Sequence, residues 1–407
     1  MKPGRRNILF VTPWYPTPAH IYAGIFVREY AQAVQLHDHV TVLHVGHTEP
    51  GLPCRWGMQE VTDPQLNSGI PSYRAWYRRS PIRGVSWFRY WAGAIRAAMA
   101  LSRKHGPFDL IHAHVFSSAA IALLLGRWYG IPVVISEHAT SFARGVLSPS
   151  RIRQARRVFR RAKAVLPVSH ALQRAMEQCG IRAAFRVVPN TVNAELFHFA
   201  PRCPAPGGAV RLLTVTSFLP YKGLEVLLRA LGQVPWRDRS WRLDMVGGVP
   251  GPDMDRHRNL VADLGLSAQV TFHGTKDKSE VARMMRGADL FVLPSLVETF
   301  SVATAEALMS GLPVLVTRCG GPEEFVDERS GRIVEPGNAT ALADGITKML
   351  DSLEIYDRKE ISRVAKARFG HEAVAAVLMD VYSQAAGMRN TPAETGAGAR
   401  AEHPEVP

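Results

Sequence analysis

Residues 294–326 read PSLVETFSVATAEALMSGLPVLVTRCGGPEEFV. A short apolar run, Leu290–Leu293, precedes this stretch and ends in a Pro-Ser turn, and helix-forming residues run from Val302 to Met309. A strand that ends in a loop and is followed by a helix start is where an α/β sheet presents its ligand site. Ser301 fits an N-cap, and Gly311 ends the helix before Pro313. The helix N-terminus then offers free N–H groups and a positive dipole end to a phosphate. Glu298 would face what lies beyond the phosphates. Glu306, eight positions after Glu298 and inside the helix, could accept hydrogen bonds from a sugar hydroxyl. The same spacing also fits a surface helix that carries two ordinary acids.

Working outward, 407 residues suggest two domains, and 46% apolar content is ample for their cores. The four cysteines, Cys54, Cys179, Cys203 and Cys319, form no C-x-x-C pair, which argues against a zinc site or a disulfide framework. That usage fits a reducing cytoplasm. The opening MKPGRRNILFVTPWYP has an apolar run that ends at Pro13, too early for a secretory signal, so Ile8–Thr12 reads as a buried strand. The apolar window Ala119–Ile135 contains Arg127, Gly130 and Pro132 and reads as helix, turn and strand rather than a membrane span.

Charge is uneven. Residues 1–200 hold 25 Lys+Arg and 9 Asp+Glu, a net of 25 − 9 = +16, and the remainder holds 24 and 26, a net of −2. The whole excess of +14 therefore lies in the N-terminal half, which points to an anionic partner there: a membrane surface, a phosphorylated lipid or nucleic acid.

Apolar strands alternate with helical stretches through both halves. Strands are expected at Ile8–Thr12, Val40–Val45, Leu110–Ala113, Pro132–Ser136, Ala164–Val168 and Phe185–Val188, then at Arg211–Thr216, Arg242–Val246, Val270–His273, Leu290–Leu293 and Val314–Thr317. Between the two sets, PRCPAPGG (Pro201–Gly208) reads as a linker. The pattern is that of two doubly wound α/β domains in tandem, 1–203 and 204–370. A helical part at 371–388 lacks a following strand and is expected to cross back onto the first domain. The segment 389–407 has almost no large apolar residues and is expected to be disordered.

Six segments in order resemble retaining nucleotide-sugar glycosyltransferases of family 4. They are AGIFVREYAQAV (Ala23–Val34), DLIHAHVFSSAA (Asp109–Ala120), VVISEHATSF (Val133–Phe142), VVPNTVNAELF (Val187–Phe197), FLPYKGLEVLLRAL (Phe218–Leu231), and the Glu298–Glu306 block with CGGPEE (Cys319–Glu324). The resemblance implies the GT-B fold: two Rossmann-like domains, the acceptor mainly on the first, the donor mainly on the second, and chemistry in the cleft between them.

Residue roles follow from that resemblance. Gly24 lies in a loop that reaches the donor phosphates; the family commonly has two glycines here, and this chain has Ala23-Gly24. Lys222 places its ammonium on the leaving diphosphate. Many members carry an arginine five positions earlier, where this chain has Ser217, a hydroxyl in place of a charge. Either Lys222 and the helix N-terminus suffice or another cation substitutes. Glu298 lies near the transferred sugar, and Glu306 holds the ribose hydroxyls. Thr299, Phe300, Ser301 and Val302 cradle the phosphates, although position 301 is often glycine in the family. His114 is the expected cleft histidine, with His112 deeper on the same strand, and His138 is expected to face the acceptor. Gly320 and Gly321 suit close approach to a sugar, which Glu323 either binds or leaves in order to cap a helix. The motifs above contain no metal cluster, so the expected transfer uses no metal and no cofactor beyond a UDP-sugar or GDP-sugar donor.

Two basic stretches remain. YRAWYRRSPIRGVSWFRYWAGAIR (Tyr73–Arg96) and RIRQARRVFRRAK (Arg151–Lys163) combine arginines with aromatics and suit an anionic membrane interface. They also fit a partly buried aromatic helix with a solvated basic face. Nucleic acid is disfavoured, since no recognition motif accompanies the charge. The expectation is a cytoplasmic glycosyltransferase, peripheral on the inner face of the membrane, with a lipid-linked or glycan acceptor. A nucleotide-sugar epimerase on the same fold and a silent partner in a polysaccharide assembly complex are the other readings.

Overall fold

The computed structural model describes residues 4–18, 20–47, 56–77, 80, 83–201, 208–236 and 239–387. The expected tail at 389–407 and the interior of the expected linker, 202–207, lie outside these residues.

The first half builds a sheet in the order β3-β4-β2-β1-β5-β6-β7. Its strands are β1 (Asn7–Thr12), β2 (His39–His47), β3 (Gly57–Glu60), β4 (Ser72–Tyr77), β5 (Leu110–His114), β6 (Val133–Glu137) and β7 (Ala164–Pro167). All pairings are parallel except β3 with β4. Alternation along β1 sends Ile8 and Phe10 to one face and Leu9 and Val11 to the other, so both faces must be covered. Helices α1 (Ile25–Gln35) and α13 (His371–Ala385) cover the Phe10 face through Val27, Tyr30, Val374, Leu378 and Tyr382. Helices α3 (Arg83–His105), α4 (Phe116–Tyr129) and α5 (Pro149–Phe159) cover the other.

The second half builds a parallel sheet in the order β10-β9-β8-β11-β12-β13, from β8 (Val210–Val215), β9 (Trp241–Val246), β10 (Val270–Gly274), β11 (Leu290–Leu293), β12 (Val314–Thr317) and β13 (Gly331–Val334). Helices α7 (Leu224–Leu231), α8 (Pro252–Asp263), α9 (Lys278–Gly287), α10 (Val302–Met309), α11 (Ala339–Leu350) and α12 (Arg358–Phe369) accompany it. The two doubly wound sheets meet the expected fold class. Strand order reverses between β1 and β5 in one sheet and between β8 and β11 in the other. Open α/β sheets bind ligands at these switch points. None of the described helices is long and apolar enough to cross a membrane.

Two expectations change. Phe185–Val188 is not a strand; only Phe185 forms an isolated bridge, to Val165. Val165 donates to Ala184, Arg186 to Val165 and Val188 to Pro167, but Pro167 has no N–H to return, so the ladder stops. The stretch Tyr73–Arg96 is not one surface either. Its first part is β4, with Tyr73, Trp76 and Tyr77 buried, and α3 begins only at Arg83.

The Tyr382 hydroxyl lies 2.6 Å from His112 Nδ1 in the interior of the first half. Tyr382→Phe should leave that nitrogen without a partner and cost about 1–3 kcal/mol, read as a lower midpoint in denaturant melts; an unchanged midpoint would show that the contact contributes nothing.

Candidate functional site

A cavity of about 670 Å³ opens between the two halves. Tyr22, Phe26 and Glu29 line it from the first half, and Ser217, Gly248, Lys278, Val302 and Glu306 from the second. The chain after β9 can pass close by because it is glycine. Gly247 has φ 112°, and a Cβ there would sit 2.0 Å from the Thr216 carbonyl oxygen.

Lys222 stands at the end of one 3-10 turn, Pro220–Lys222, in the segment between β8 and α7. Gly223 follows at φ 67°, so close to the loop after β11 that a Cβ would lie 2.1 Å from the Pro294 carbonyl oxygen. The two loops are tied further by Leu296 N–H, which donates to Tyr221 O at 2.8 Å. This contact delivers Lys222 Nζ to Glu298 Oε1 at 2.8 Å, where the Ser295 hydroxyl also donates at 3.0 Å. Both members of the ion pair are largely buried. The Glu298 backbone is pinned to the loop after β12: its N–H donates to Cys319 O at 2.8 Å, and Gly321 N–H donates to Glu298 O at 3.0 Å. A Cβ on Gly321 would fall 2.3 Å from Thr299 O. Backbone packing therefore accounts for glycine at 321, and Gly320 at φ 118° meets the Glu298 carbonyl in the same way.

Ser301 is the N-cap of α10, as expected, and its hydroxyl accepts from Thr304 N–H at 3.3 Å. Its φ of 67° is the left-handed region, which explains why glycine suits this position. Phe300 and Thr299 are buried, and the Thr299 hydroxyl donates to His138 O at 3.2 Å across the cleft. Within α10, Glu306 is buried and its Oε1 is held by the Lys278 ammonium, while Oε2 has no partner. Burial raises the Glu306 carboxyl and Lys278 opposes that rise.

On the opposite wall, Gly24 caps α1 at φ 66°, with a Cβ position 2.2 Å from Trp14 O. His112 and His114 stack with centroids 4.3 Å apart, and His114 Nδ1 lies 3.3 Å from His138 Nε2. His114 is fully buried with Nε2 unpartnered, so the structure places it in the interior rather than on the cleft wall. His138 packs 4.3 Å from the Phe26 ring, which lines the cavity, and its Nδ1 is 3.0 Å from Asn190 Oδ1. Burial lowers His112 and His138 to about 3 and carries His114 well down too. All three are neutral at physiological pH.

Thus Ser217, Val302 and Glu306 line the cavity; Lys222, Glu298, Thr299, Phe300, Ser301, Gly320 and Gly321 lie in or at the end of the segments that follow β8, β11 and β12; Gly24, His114 and His138 belong to the other half. Glu323, after Gly321, lies 3.7 Å from Arg318, and its Oε2 is buried without a hydrogen-bond partner. Its neighbour Glu324 reaches the first half instead. It accepts from His170 N–H at 2.9 Å and Ala171 N–H at 2.5 Å, at the start of α6 (His170–Gln178). Sequence reasoning missed Glu324 because its partners are backbone groups, which no side-chain pattern encodes. It missed Lys278 because a lysine after an Asp N-cap reads as a solvated first-turn residue. Among the described residues, no group of three or more His, Cys, Asp or Glu is placed to hold a metal ion.

Two family models divide this chain between them. "Glycosyltransferase Family 4" matches residues 23–196, and "Glycosyl transferases group 1" matches 202–367. The chain belongs to glycosyltransferase family 4. A family relative, the D-inositol 3-phosphate glycosyltransferase of Arthrobacter sp. (strain FB24), is 28% identical over 307 residues, 70% of this chain and 72% of that protein. Sucrose-phosphate synthase from Thermosynechococcus elongatus superposes with TM-score 0.74 at 22% identity, over 93% of this chain and 99% of that one. Anabaena HepE in complex with UDP and glucose gives 0.74 at 20% identity, over 93% and 100%. These structures share the GT-B fold with this glycosyltransferase.

The first-half wall of the glycosyltransferase cleft is organised by Glu137, a buried carboxyl at the end of β6. It accepts from the backbone N–H groups of Phe116 at 2.9 Å, His138 at 3.0 Å and Ala139 at 2.9 Å. Val115, between β5 and α4, is held at φ 67°, a costly conformation for a β-branched residue. Burial outweighs the three hydrogen bonds and raises Glu137 to about 7. A carboxyl raised from 4.5 to about 7 contributes stability below pH 4.5 that is lost as pH rises through 7. Stability of wild type relative to Glu137→Gln should therefore fall by up to about 3 kcal/mol across that window. The buried histidines respond in the opposite sense and are common to both proteins. A pH-independent difference in urea midpoints would refute the assignment.

Proposed function

We propose that this chain is a retaining hexosyltransferase that uses a UDP-sugar or GDP-sugar donor without a metal ion. The acceptor is a hydroxyl of a lipid-linked or polysaccharide-precursor molecule, met on the inner face of the cytoplasmic membrane. The single observation that carries this reading is the Lys222 ammonium held on Glu298, in the loop that leads from β11 into α10, whose Val302 and Glu306 line the cavity. A cation and a helix N-terminus converge where a departing diphosphate gathers charge, and a buried carboxylate stands where a ribose diol would bind. HepE, with UDP and with UDP-glucose bound, shows that proteins of this fold hold such donors.

In the proposed reaction the bond from the anomeric carbon to the diphosphate oxygen breaks as the acceptor oxygen bonds on the same face. The acceptor proton passes to the leaving phosphate. Lys222 and the N–H groups after Ser301 stabilise the diphosphate, Glu298 orients the sugar, and His138 stands toward the acceptor. Residues 1–203 then serve as the acceptor domain and 204–370 as the donor domain, with 371–388 returning to the first.

The outer helical layer of the first half supports the membrane part. Phe88 is 72% and Trp128 62% exposed, beside the exposed Arg89, Arg96 and Arg127. On α5, Ala155, Val158 and Phe159 are buried while Arg153, Arg156, Arg157 and Arg160 are exposed. Such a basic, aromatic-studded surface suits anionic lipid.

Two results are expected. With chelator present, UDP or GDP should raise the melting temperature, and Lys222→Ala should lower kcat by about a hundredfold or more; full turnover by the variant, or a requirement for added divalent metal, would refute the reading. Replacing Arg153, Arg157 and Arg160 with Gln should weaken sedimentation with anionic vesicles by about 3 kcal/mol in total. Unchanged sedimentation would remove the membrane from the account.

A further inference from the structure

Lys278 is the first residue of α9, capped by Asp277, and its side chain crosses to α10. Both Lys278 and Glu306 line the cavity. The ammonium engages Oε1 of Glu306, and Oε2 is buried without a partner. A buried carboxylate oxygen with no donor is costly, and here it borders a space large enough for a nucleotide.

The other charged groups around this carboxylate are already committed. Arg28 of α1 donates to Gln65 O at 2.7 Å and lies 3.5 Å from Glu29, whose other oxygen is 2.9 Å from His371. Lys276 is 3.2 Å from Glu280. Asp253 of α8 lines the cavity and pairs with Arg256 at 3.3 Å. Arg358 of α12 serves the far side of α10, donating to Gly311 O at 2.9 Å and Ala288 O at 3.1 Å. Among the described residues, Lys278 is the cation that contacts Glu306.

We infer that Lys278 is a positioning residue of the donor site: it fixes the Glu306 carboxylate through Oε1 and leaves Oε2 to accept from the ribose diol of the nucleotide. This rests on the donor assignment proposed above. The lysine does not touch the reacting atoms, so its loss acts on donor binding rather than on turnover. Burial alone pushes the Glu306 carboxyl up, and removing Lys278 pushes it further. The charged acceptor is then depleted progressively as pH falls.

The test is calorimetric titration of the full chain with UDP and GDP, and with their 2′,3′-dideoxy analogues, for wild type, Lys278→Gln and Lys278→Arg. For whichever nucleotide wild type binds, Lys278→Gln should lose about tenfold in affinity near neutral pH, the worth of one charge-assisted hydrogen bond. The loss should deepen at lower pH, and Lys278→Arg should recover most of it. The dideoxy analogue should bind wild type about tenfold more weakly than its parent and should not distinguish wild type from Lys278→Gln. In turnover, donor KM should rise while kcat holds. The wild-type comparison of parent and dideoxy nucleotide tests the diol contact even if Lys278→Gln does not fold. Equal affinity of wild type and Lys278→Gln at every pH, or an equal loss for the dideoxy analogue, overturns this inference alone. A wild-type chain that binds neither nucleotide overturns the donor assignment and this inference with it.

Discussion

Parallel sheets leave backbone N–H and C=O groups unpaired at their carboxyl edges, and the cleft of this protein is built from the ways those groups are satisfied. Glu137 answers three N–H groups at the edge of the first sheet. The Glu298 backbone pairs with the Cys319–Gly321 loop at the edge of the second. Glu324 leaves its own half to cap α6 in the other. Each contact uses a buried or partly buried glutamate to fix a loop. The position of the Lys222–Glu298 pair is a consequence of that loop packing.

The same constraint explains two of the strained backbone positions, Val115 after β5 and Ser301 between β11 and α10. Among the described residues, the non-glycine positions at positive φ are Ser68, Val115 and Ser301. Ser68 lines the cavity, Val115 follows the histidine strand, and Ser301 opens the helix at the proposed phosphate site. Chains that must turn sharply at a sheet edge accept such conformations when surrounding contacts hold them. Serine at 301 is compatible with the turn because its hydroxyl caps the helix it begins. Ser217 shares its cavity with Lys276 and Lys278, so cations stand near the position where the family resemblance implies an arginine.

Much of this was legible in the sequence. The buried central strands announce themselves as short apolar runs, and Ser301, Gly311 and Lys222 mark local events that neighbouring residues determine. What escaped was nonlocal. Strand β4 carries Arg74 among aromatics and read as part of a basic surface, yet Tyr73 and Trp76 are buried by α3 and β3. The interrupted ladder at Phe185 depends on the missing N–H of Pro167, 18 residues earlier in sequence. His114 was expected at the cleft because it ends a strand. Its burial follows from packing between Phe10, Tyr30 and His138, which only the assembled fold brings together. Glu324 and Lys278 act across elements, on partners that spacing along the chain does not specify.

The central claim is that a nucleotide-sugar donor binds with its diphosphate at Lys222 and the head of α10 and its ribose at Glu306. A crystal structure of the full chain with UDP or GDP tests it most directly. The account predicts the diphosphate within hydrogen-bond distance of Lys222 Nζ and of the N–H groups after Ser301, with the ribose hydroxyls on Glu306. A nucleotide held elsewhere, or one whose diphosphate makes no contact with Lys222, would contradict it.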